Sequence, residues 1–281
     1  MKTASETALG QDHASLLVGQ VQAGQAGRVI LHGFADIPVP ADVASVGAGR
    51  PVVFLHGLVG LNDHWEEVVR HAQLAAKCVL LQLPLLDLLN KDCSVDGATE
   101  LTIKFLERHV CEPSMVVGNS FGGHVALKIA IQRPDLVNGL VLAGASGLIE
   151  KSMVSDVQIR PSRAWLERKI GELFHDHAKM NQADVDRAFL VLSHRRQARA
   201  MVKLSRSARR NHLGSEIHKI QAPTLLIWGR EDIVTPPEAC DQFAAGIKNT
   251  TVVWLDKCGH APMIESPAAF AAALMPFIRR G

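Results

Sequence analysis

Six short stretches of almost unbroken apolar residues recur along the chain, and each one ends at a turn signal. They lie at 51–57, 77–84, 114–120, 139–147, 222–229 and 250–259. Continuous apolar runs of this length are typical of strands that are buried on both faces of a parallel sheet. Helix-like stretches separate the runs, and this alternation predicts an α/β fold with a mostly parallel central sheet flanked by helices.

The starts of several helices can also be predicted. Asp63 and Glu66 have the spacing of a capping box, in which two side chains satisfy free N–H groups of the first turn. Thr235 followed by Pro236 carries a similar signature, with proline at the first helical position. The Ser-Pro pair at 266–267 predicts the start of a final helix.

The first 50 residues have a weaker pattern. Residues 15–22 and 28–34 together form a hairpin candidate, and a connection rich in Pro, Ala and Gly follows them. When the two strands of this hairpin are counted, the run at 139–147 is the sixth predicted strand.

Residues 150–219 are polar and helical and hold no strand-like run. A segment of about 70 residues is too long for a simple connection between two buried strands. It therefore predicts a helical cap, or lid, that is inserted after the sixth strand and covers one end of the sheet. The core then consists of residues 1–149 and 220–281.

Composition excludes several classes of protein. The 281 residues carry a net charge of only +2, which argues against bulk nucleic-acid binding, and 47% are apolar, enough for a large core. The five cysteines lack the spacing of a zinc site or a disulfide framework. The N-terminus lacks the apolar region of a signal peptide, and no apolar run of about 18 residues predicts a membrane span. We therefore expect a cytoplasmic protein that needs no metal or cofactor and does not bind a membrane. The sequence does not decide whether the protein forms a homodimer.

A glycine-flanked serine stands between the third apolar run and the helix-like stretch after it. Residues 118–122 read Gly-Asn-Ser-Phe-Gly, and Gly123 follows. In a G-x-S-x-G elbow, a sharp strand-to-helix turn projects the serine hydroxyl from the carboxyl edge of the sheet, so Ser120 is a candidate nucleophile. The same glycines would also suit an unreactive tight turn, and the pentapeptide alone does not decide between the two.

A serine nucleophile needs a base, which is usually a histidine held by a carboxylate. Among the 13 histidines, His260 is distinguished by its place between the last apolar run and the last helix. Asp232 follows the run at 222–229 and is the candidate carboxylate, with Glu231 and Asp256 as competitors. Asp232 can also be explained as a turn residue that binds its own backbone. Ser, Asp and His in this order on three edge loops are more specific than any one motif.

The negative charge that develops on an attacked carbonyl needs backbone N–H donors, which together form an oxyanion hole. The N–H of Phe121, directly after the serine, is one candidate. The second is the N–H of Leu58, in the His-Gly-Leu-Val-Gly stretch at 56–60 that closes the apolar run at 51–57. An earlier Leu-His-Gly at 31–33 is the alternative, but residues 34–36 after it look like a strand that continues.

Four motifs in this order resemble those of serine hydrolases of the α/β-hydrolase superfamily. They are HGLVG (56–60), GNSFGG (118–123), WGREDIVTPP (228–237) and CGHAPMIESP (258–267). The resemblance covers about residues 50–280 and implies the α/β-hydrolase fold. It also implies that Ser120 attacks a carbonyl carbon, that His260 moves the proton and that Asp232 orients the imidazole. Water then releases the acyl-enzyme.

The elbow and acid loops are similar to those of C–C hydrolases that cleave ring-opened aromatic (meta-cleavage) products, and also to those of carboxylesterases. The chain departs from the C–C hydrolases because its loop at 56–60 lacks their Gly-Pro-Gly form. It departs from many relatives after the run at 77–84, where Gln82 opens a Gln-Leu-Pro-Leu-Leu stretch in place of an Asp-x-Pro-Gly-x-Gly turn. The serine argues against epoxide hydrolases and haloalkane dehalogenases, and the absence of tyrosine also argues against the former.

The cap segment is basic. It holds 10 Arg and 5 Lys against 8 Asp and Glu, a balance of +7, so the other residues carry −5. Such a cap can attract a carboxylate-bearing substrate, although most of these side chains are expected on solvated faces. The candidate substrate contacts are Arg206, Arg210 and Trp165 in the cap, and Gly57 and Asn119 beside the elbow and the oxyanion loop.

Three functions stay open from the sequence. The first is an esterase that acts on small to medium acyl esters through a Ser-His-Asp triad and an acyl-enzyme. The alternative is a C–C bond hydrolase that cleaves meta-cleavage products, which are vinylogous diketo acids. The third is a ligand-binding protein that keeps the fold without turnover, and the complete triad counts against it.

Overall fold

The six apolar runs form strands, and each strand stops at or before the turn residues that close its run. The computed structural model describes residues 24–151 and 161–280. Within these ranges, eight strands form one sheet: β1 (Gln25–His32), β2 (Pro38–Val46), β3 (Pro51–Leu55), β4 (Lys77–Gln82), β5 (Ser114–Asn119), β6 (Val137–Ala143), β7 (Thr224–Gly229) and β8 (Thr250–Leu255). Their order is β1-β2-β4-β3-β5-β6-β7-β8. The pairs β1–β2 and β2–β4 are antiparallel and the others are parallel, so the predicted α/β fold is confirmed.

Helices cover both faces of the sheet. They are α1 (Glu66–Ala72), α2 (Val95–Phe105), α3 (Phe121–Gln132), α4 (Arg163–Gly171), α5 (Gln182–Ser193), α6 (Arg195–Arg210), α7 (Pro237–Gly246), α8 (Pro262–Glu265) and α9 (Pro267–Arg280). A π-helical turn (Leu106–Val110) continues α2. Short 3-10 turns join other elements: Asn62–Trp65, Leu85–Asp87, Pro134–Leu136, His177–Lys179 and Ile217–Lys219. In the ranges that the structure describes, no helix combines the length and the apolarity that crossing a membrane requires.

Successive residues of the inner strands point to opposite faces of the sheet, so each strand supplies both halves of the core. Val53 and Leu55 pack on the face that α2, α3 and α7 cover. Val52 and Phe54 pack on the other face with Trp65, α1 and α9. This burial on both sides explains why the runs are apolar throughout instead of alternating.

The helices α4, α5 and α6 follow β6 in the chain and precede β7, as expected from a segment without apolar runs. Their side chains form a separate apolar cluster around Trp165, Val185 and Met201, which packs against Leu58 and Leu86 of the sheet's loops. These helices therefore lie over the edge where the parallel strands end, the edge where α/β sheets place their ligand sites. The boundaries of the cap segment stay a prediction.

The hairpin near the N-terminus differs from the predicted one. Residues 15–22 lie outside the described residues. β1 instead pairs with β2, which is formed by the Pro-rich stretch that was expected to be a connection. In β2 the buried Val39 and Ala41 alternate with exposed prolines at 38 and 40. Because proline is unusual inside a sheet, these two residues conceal the alternation in the sequence.

Two of the predicted helix starts are wrong and one is confirmed. α1 begins at Glu66 after a 3-10 turn, and no described side chain caps it, so Asp63 and Glu66 do not form a capping box. α7 begins at Pro237, and Thr235 turns its hydroxyl toward a carboxylate instead of the helix. α9 begins at Pro267, as predicted.

Trp65 provides a test of the core. Its ring is fully buried between Phe54 and Phe270, with centroid distances of 5.4 and 5.8 Å. Trp65→Ala should lower the free energy of unfolding by about 3–5 kcal/mol, because it removes these contacts and leaves a cavity. Urea denaturation followed by circular dichroism measures the change. Leu74→Ala is the control, since this side chain is 81% exposed. Equal losses for the two variants would contradict the assignment of Trp65 to the core.

Candidate active site

Ser120 lies at the turn between β5 and α3, and its backbone is strained. Its φ of 53° and ψ of −117° are rare for a residue with a side chain. The turn is also tightly packed, because a Cβ on Gly118 would lie 2.4 Å from the carbonyl oxygen of Gly122, and a Cβ on Gly122 would lie 2.5 Å from that of Leu55. The turn therefore has the geometry predicted for a nucleophile elbow.

His260 and Asp232 form a buried pair on the loops after β8 and β7. The Nδ1 of His260 lies 3.0 Å from Oδ2 of Asp232. The other carboxylate oxygen accepts the N–H groups of Val234 and Thr235, both at 2.9 Å. Asp232 is therefore both a turn residue and the partner of His260. Because Nδ1 donates to the carboxylate, Nε2 of the neutral imidazole is left as the acceptor.

The competing carboxylates contact other groups. Oε2 of Glu231 accepts the N–H of Cys258 at 2.9 Å. Asp256 pairs with Arg230 on the surface at 2.8 Å. Among the described residues, neither forms a hydrogen bond with His260, so the geometry selects Asp232.

Sequence reasoning missed two residues that support this pair. The hydroxyl of Thr235 donates to Oδ2 of Asp232 at 2.8 Å, and its oxygen lies 3.2 Å from Nδ1 of His260. Gly144 has a φ of +50°, and a Cβ there would lie 2.9 Å from Nδ1 of His260. The signals in the sequence were the spacing of three residues between Asp232 and Thr235 and the glycine directly after β6.

Asn119 links the elbow to the histidine loop. Its buried amide donates to the carbonyl oxygens of Ala143 at 2.9 Å and of His260 at 3.0 Å. Asn119 lines the cavity, but both amide hydrogens are already bound by the protein. These donors therefore connect three loops of the site, and the predicted contact of Asn119 with substrate stays a prediction.

Leu58, one predicted oxyanion donor, lines the same cavity as Ser120, and Phe121, the other, directly follows the serine in the chain. Neither the N–H of Leu58 nor that of Phe121 donates a hydrogen bond to another described residue. Phe121 is the first residue of α3, where the N–H groups have no partner within the helix. The alternative Leu-His-Gly at 31–33 lies at the end of an edge strand, and residues 34–36 form a turn, not a continuing strand.

A cavity of about 180 Å³ opens above the elbow. Gly57, Leu58 and Ser120 line it from the core with His260, and apolar side chains of α4, α5 and α6 line the rest: Trp165, Leu166, Ile170, Ala188, Leu192 and Met201. Trp165 is thus in the predicted place. The hydroxyl of Ser120 forms no hydrogen bond with His260 among the described contacts. Such bonds often form only when substrate binds.

Arg206 and Arg210 do not line this cavity, which corrects their prediction as substrate contacts. They line a separate surface groove beside Cys93 and Ser94. α6 turns Met201 toward the cavity, and at 100° per residue Arg206 and Arg210 lie about 140° and about 180° around the helix from it. One helix cannot present these residues to the same space.

The cationic groups that line the cavity, Lys169, Arg187 and His64, each have a carboxylate partner. Nζ of Lys169 lies 3.0 Å from the carboxylate of Glu172. Arg187 donates to Asp184 at 2.7 Å, and Nε2 of His64 lies 3.3 Å from the same carboxylate. The contact between His64 and Asp184 joins α5 to the loop after β3, whereas the pair of Lys169 and Glu172 lies at the end of α4.

Glu150 is a further carboxyl group in this cavity that the sequence did not single out. Burial raises the pKa of Glu150 above its usual range. Burial lowers the pKa of His260. The charge of Asp232, the hydrogen bond to Asp232 and the charge of Glu150 together raise this pKa by more, so it lies above the ordinary value for histidine. Glu150 therefore acts electrostatically on His260.

Removal of this carboxylate gives a direct test. Glu150→Gln should lower the pKa of His260, because the imidazolium loses a nearby negative charge. An NMR titration of the His260 ring, carried out above the pH at which Glu150 ionises, measures the shift. Glu216→Gln is the control, since the Glu216 side chain is 44% exposed and pairs with Lys219 at 3.3 Å. An unchanged pKa in the Glu150 variant would refute the interaction.

Comparison with known proteins agrees with this fold. Residues 52–273 match the sequence profile of the alpha/beta hydrolase family. A pimeloyl-[acyl-carrier protein] methyl ester esterase of Nitrosomonas europaea is 26% identical over 252 residues, which cover 82% of this chain and 96% of that protein. A 2-hydroxy-6-oxo-6-(2'-aminophenyl)hexa-2,4-dienoic acid hydrolase of Metapseudomonas resinovorans is 26% identical over 257 residues, which cover 83% and 86%. The structure of a serine hydrolase involved in carbazole degradation has the same fold, with a TM-score of 0.77, 23% identity and coverage of 92% of this chain and 100% of that one. Because the profile match spans most of its length, the chain belongs to the alpha/beta hydrolase family.

Proposed function

We propose that the protein is a serine hydrolase that cleaves carboxylic esters of small to medium acyl chain through Ser120, His260 and Asp232. One observation carries this proposal: the strained serine and the buried His–Asp pair open into a single, mostly apolar cavity. Two unengaged backbone N–H groups flank the serine. This set of groups is what acyl transfer requires.

The reaction follows from these positions. Oγ of Ser120 attacks the ester carbonyl carbon while Nε2 of His260 takes the hydroxyl proton. The N–H groups of Leu58 and Phe121 stabilise the negative oxygen of the tetrahedral intermediate. The bond to the alkoxy oxygen then breaks, and His260 gives the proton to the leaving alcohol. Water, deprotonated by His260, adds to the acyl-enzyme, and the acid leaves as Ser120 regains its proton.

The charges around the cavity favour a neutral ester over a diketo acid. Lys169, Arg187 and His64 each have a carboxylate partner, and Glu150 adds a further acidic group. A substrate carboxylate would therefore have to displace an existing ion pair or remain unpaired in a largely apolar space, and either costs free energy. The apolar walls suit an acyl chain.

A second candidate is cleavage of C–C bonds in meta-cleavage products. The sequence relationship favours it, because the dienoic acid hydrolase of M. resinovorans is as similar to this chain as the esterase of N. europaea, at 26% identity. Both reactions use a serine, a base and an oxyanion hole. The third possibility, binding without turnover, requires that Ser120 is unreactive.

A substrate panel separates the candidates. The wild-type protein should hydrolyse p-nitrophenyl acetate and butyrate. It should turn over the carboxylate-bearing p-nitrophenyl hemisuccinate at least about tenfold more slowly, because the cations at the cavity wall already have carboxylate partners. Ser120→Ala should lose nearly all turnover, by about 10⁴-fold or more, because the nucleophile is gone. The exposed Ser193→Ala is the matched control.

Three outcomes would contradict the proposal. If the Ser120→Ala variant still hydrolysed esters, Ser120 would not be the nucleophile. Faster cleavage of a ring-opened 2-hydroxy-6-oxo-dienoate than of any ester would favour the C–C hydrolase. Failure of a fluorophosphonate probe to label Ser120 would favour a binding protein.

Thr235 should matter for the rate. Thr235→Val keeps the shape of the side chain but removes the hydroxyl that bonds Asp232. We expect kcat to fall about tenfold with little change in KM, because a lost hydrogen bond to a charged group costs about 1.5 kcal/mol. Thr235→Ser should retain most of the activity, and the exposed Thr251→Val should retain all of it. Equal activity of the Val and Ser variants at position 235 would show that the hydroxyl has no role.

A further inference from the structure

Gln82 connects the end of β4 to the loop after β3. Its Oε1 accepts the backbone N–H of Asn62 at 2.7 Å. Its Nε2 lies 3.0 Å from Nε2 of His56 and 3.4 Å from the carbonyl oxygen of Gly60. One side chain therefore bonds to three residues of the loop that carries Leu58.

The hydrogens in this network can be assigned. Nδ1 of His56 lies 2.7 Å from the carbonyl oxygen of Gly57, which can only accept, so Nδ1 carries the hydrogen. Nε2 of the neutral ring is then an acceptor, and the amide N–H of Gln82 donates to it. Burial lowers the pKa of His56 to about 4, which keeps the ring neutral. Donors and acceptors match in the hydrogen bonds that Gly57, His56, Gln82 and Asn62 form with one another, and this determines the orientation of the amide.

The rest of the loop is held in the same way. The N–H of Gly60 donates to the carbonyl oxygen of Gly57 at 3.0 Å, and Nδ2 of Asn62 donates to that of Leu80 at 3.3 Å. Leu58 lies between Gly57 and Gly60, whose backbone groups are held by these hydrogen bonds. Its N–H is left without a partner among the described residues, and Leu58 lines the cavity together with Ser120.

We infer that Gln82 is a positioning residue, which holds the N–H of Leu58 in place as an oxyanion donor before substrate binds. The inference rests on the proposed function for the role of Leu58. A donor that is already oriented needs no reorganisation as the negative charge develops, so the gain appears in the transition state. The glutamine that departs from the common Asp-x-Pro-Gly-x-Gly turn thus has a specific role in this chain.

Gln82→Met tests the inference, because methionine has nearly the same shape but cannot form these hydrogen bonds. Loss of an oxyanion donor lowers kcat by about 10²–10³-fold, so a donor that is only less well held should lower it by about 10–100-fold. KM should change by less than about threefold, since the apolar walls still bind the substrate. Labelling of Ser120 by a fluorophosphonate should slow in parallel, because the phosphonyl oxygen occupies the same position. Gln242→Met, on the exposed side of α7, should match the wild type.

Gln82→Glu adds a readout that a packing role would not change. The new carboxylate can still accept the N–H of Asn62, but it faces the acceptor Nε2 of His56 and disrupts the pairing until that ring is protonated. The carboxylate raises the pKa of His56, so the ratio of variant to wild-type labelling rate should rise as the pH falls from about 8 to about 6. Taking the ratio cancels the effects of pH that are common to both proteins, and His64 and Asp63, the other charged groups near His56, are the same in both.

The outcomes separate this inference from the proposed function. If the wild-type Ser120 is not labelled, the proposed function fails. If Ser120 is labelled and a folded Gln82→Met variant, checked by its melting temperature, reacts at the wild-type rate, the inference about Gln82 is wrong while the function stands. Should Gln82→Met not fold, the Gln82→Glu ratio decides, and a ratio that is independent of pH overturns the inference.

Discussion

The buried hydrogen bond between Asp232 and His260 is the interaction on which the rest of the site depends. A carboxylate that is 2% exposed would be very costly without partners, and here two backbone N–H groups, a hydroxyl and the imidazole surround it. These partners restrict the neighbourhood, since Gly144 must lack a side chain and Thr235 must leave the helix that it was expected to cap. The local conformation of three loops follows from the need to bury one carboxylate together with its imidazole partner.

The parallel sheet explains why these loops meet at all. The strands β3, β5, β6, β7 and β8 run in the same direction, so the segments after them leave the sheet at one edge. Asn119 then ties the elbow to the backbone of His260, and Ser120 sits in a strained conformation that the surrounding packing maintains. A rigid edge holds the loops that carry Ser120 and His260 in a defined arrangement, which is what a positioned site requires.

The helices above the sheet contribute shape more than charge. Their apolar side chains form most of the cavity wall, while their basic residues either pair locally or point away. The excess positive charge of this segment therefore does not lie at the cavity. It lies on the outer face of α6, which carries Arg206 and Arg210.

Much of the fold could be predicted from the sequence, because strands buried on both faces leave continuous apolar runs and a sharp elbow requires glycines at set positions. The order of Ser120, Asp232 and His260 on three edge loops was also readable, since it depends only on the chain order of strand and loop. The strand β2 was missed because its prolines conceal the alternation. The contacts of Thr235 and Asn119 were decided by the tertiary structure alone. Each depends on atoms that lie far apart in the chain or on the direction of one side chain, and these are set by packing, not by local pattern.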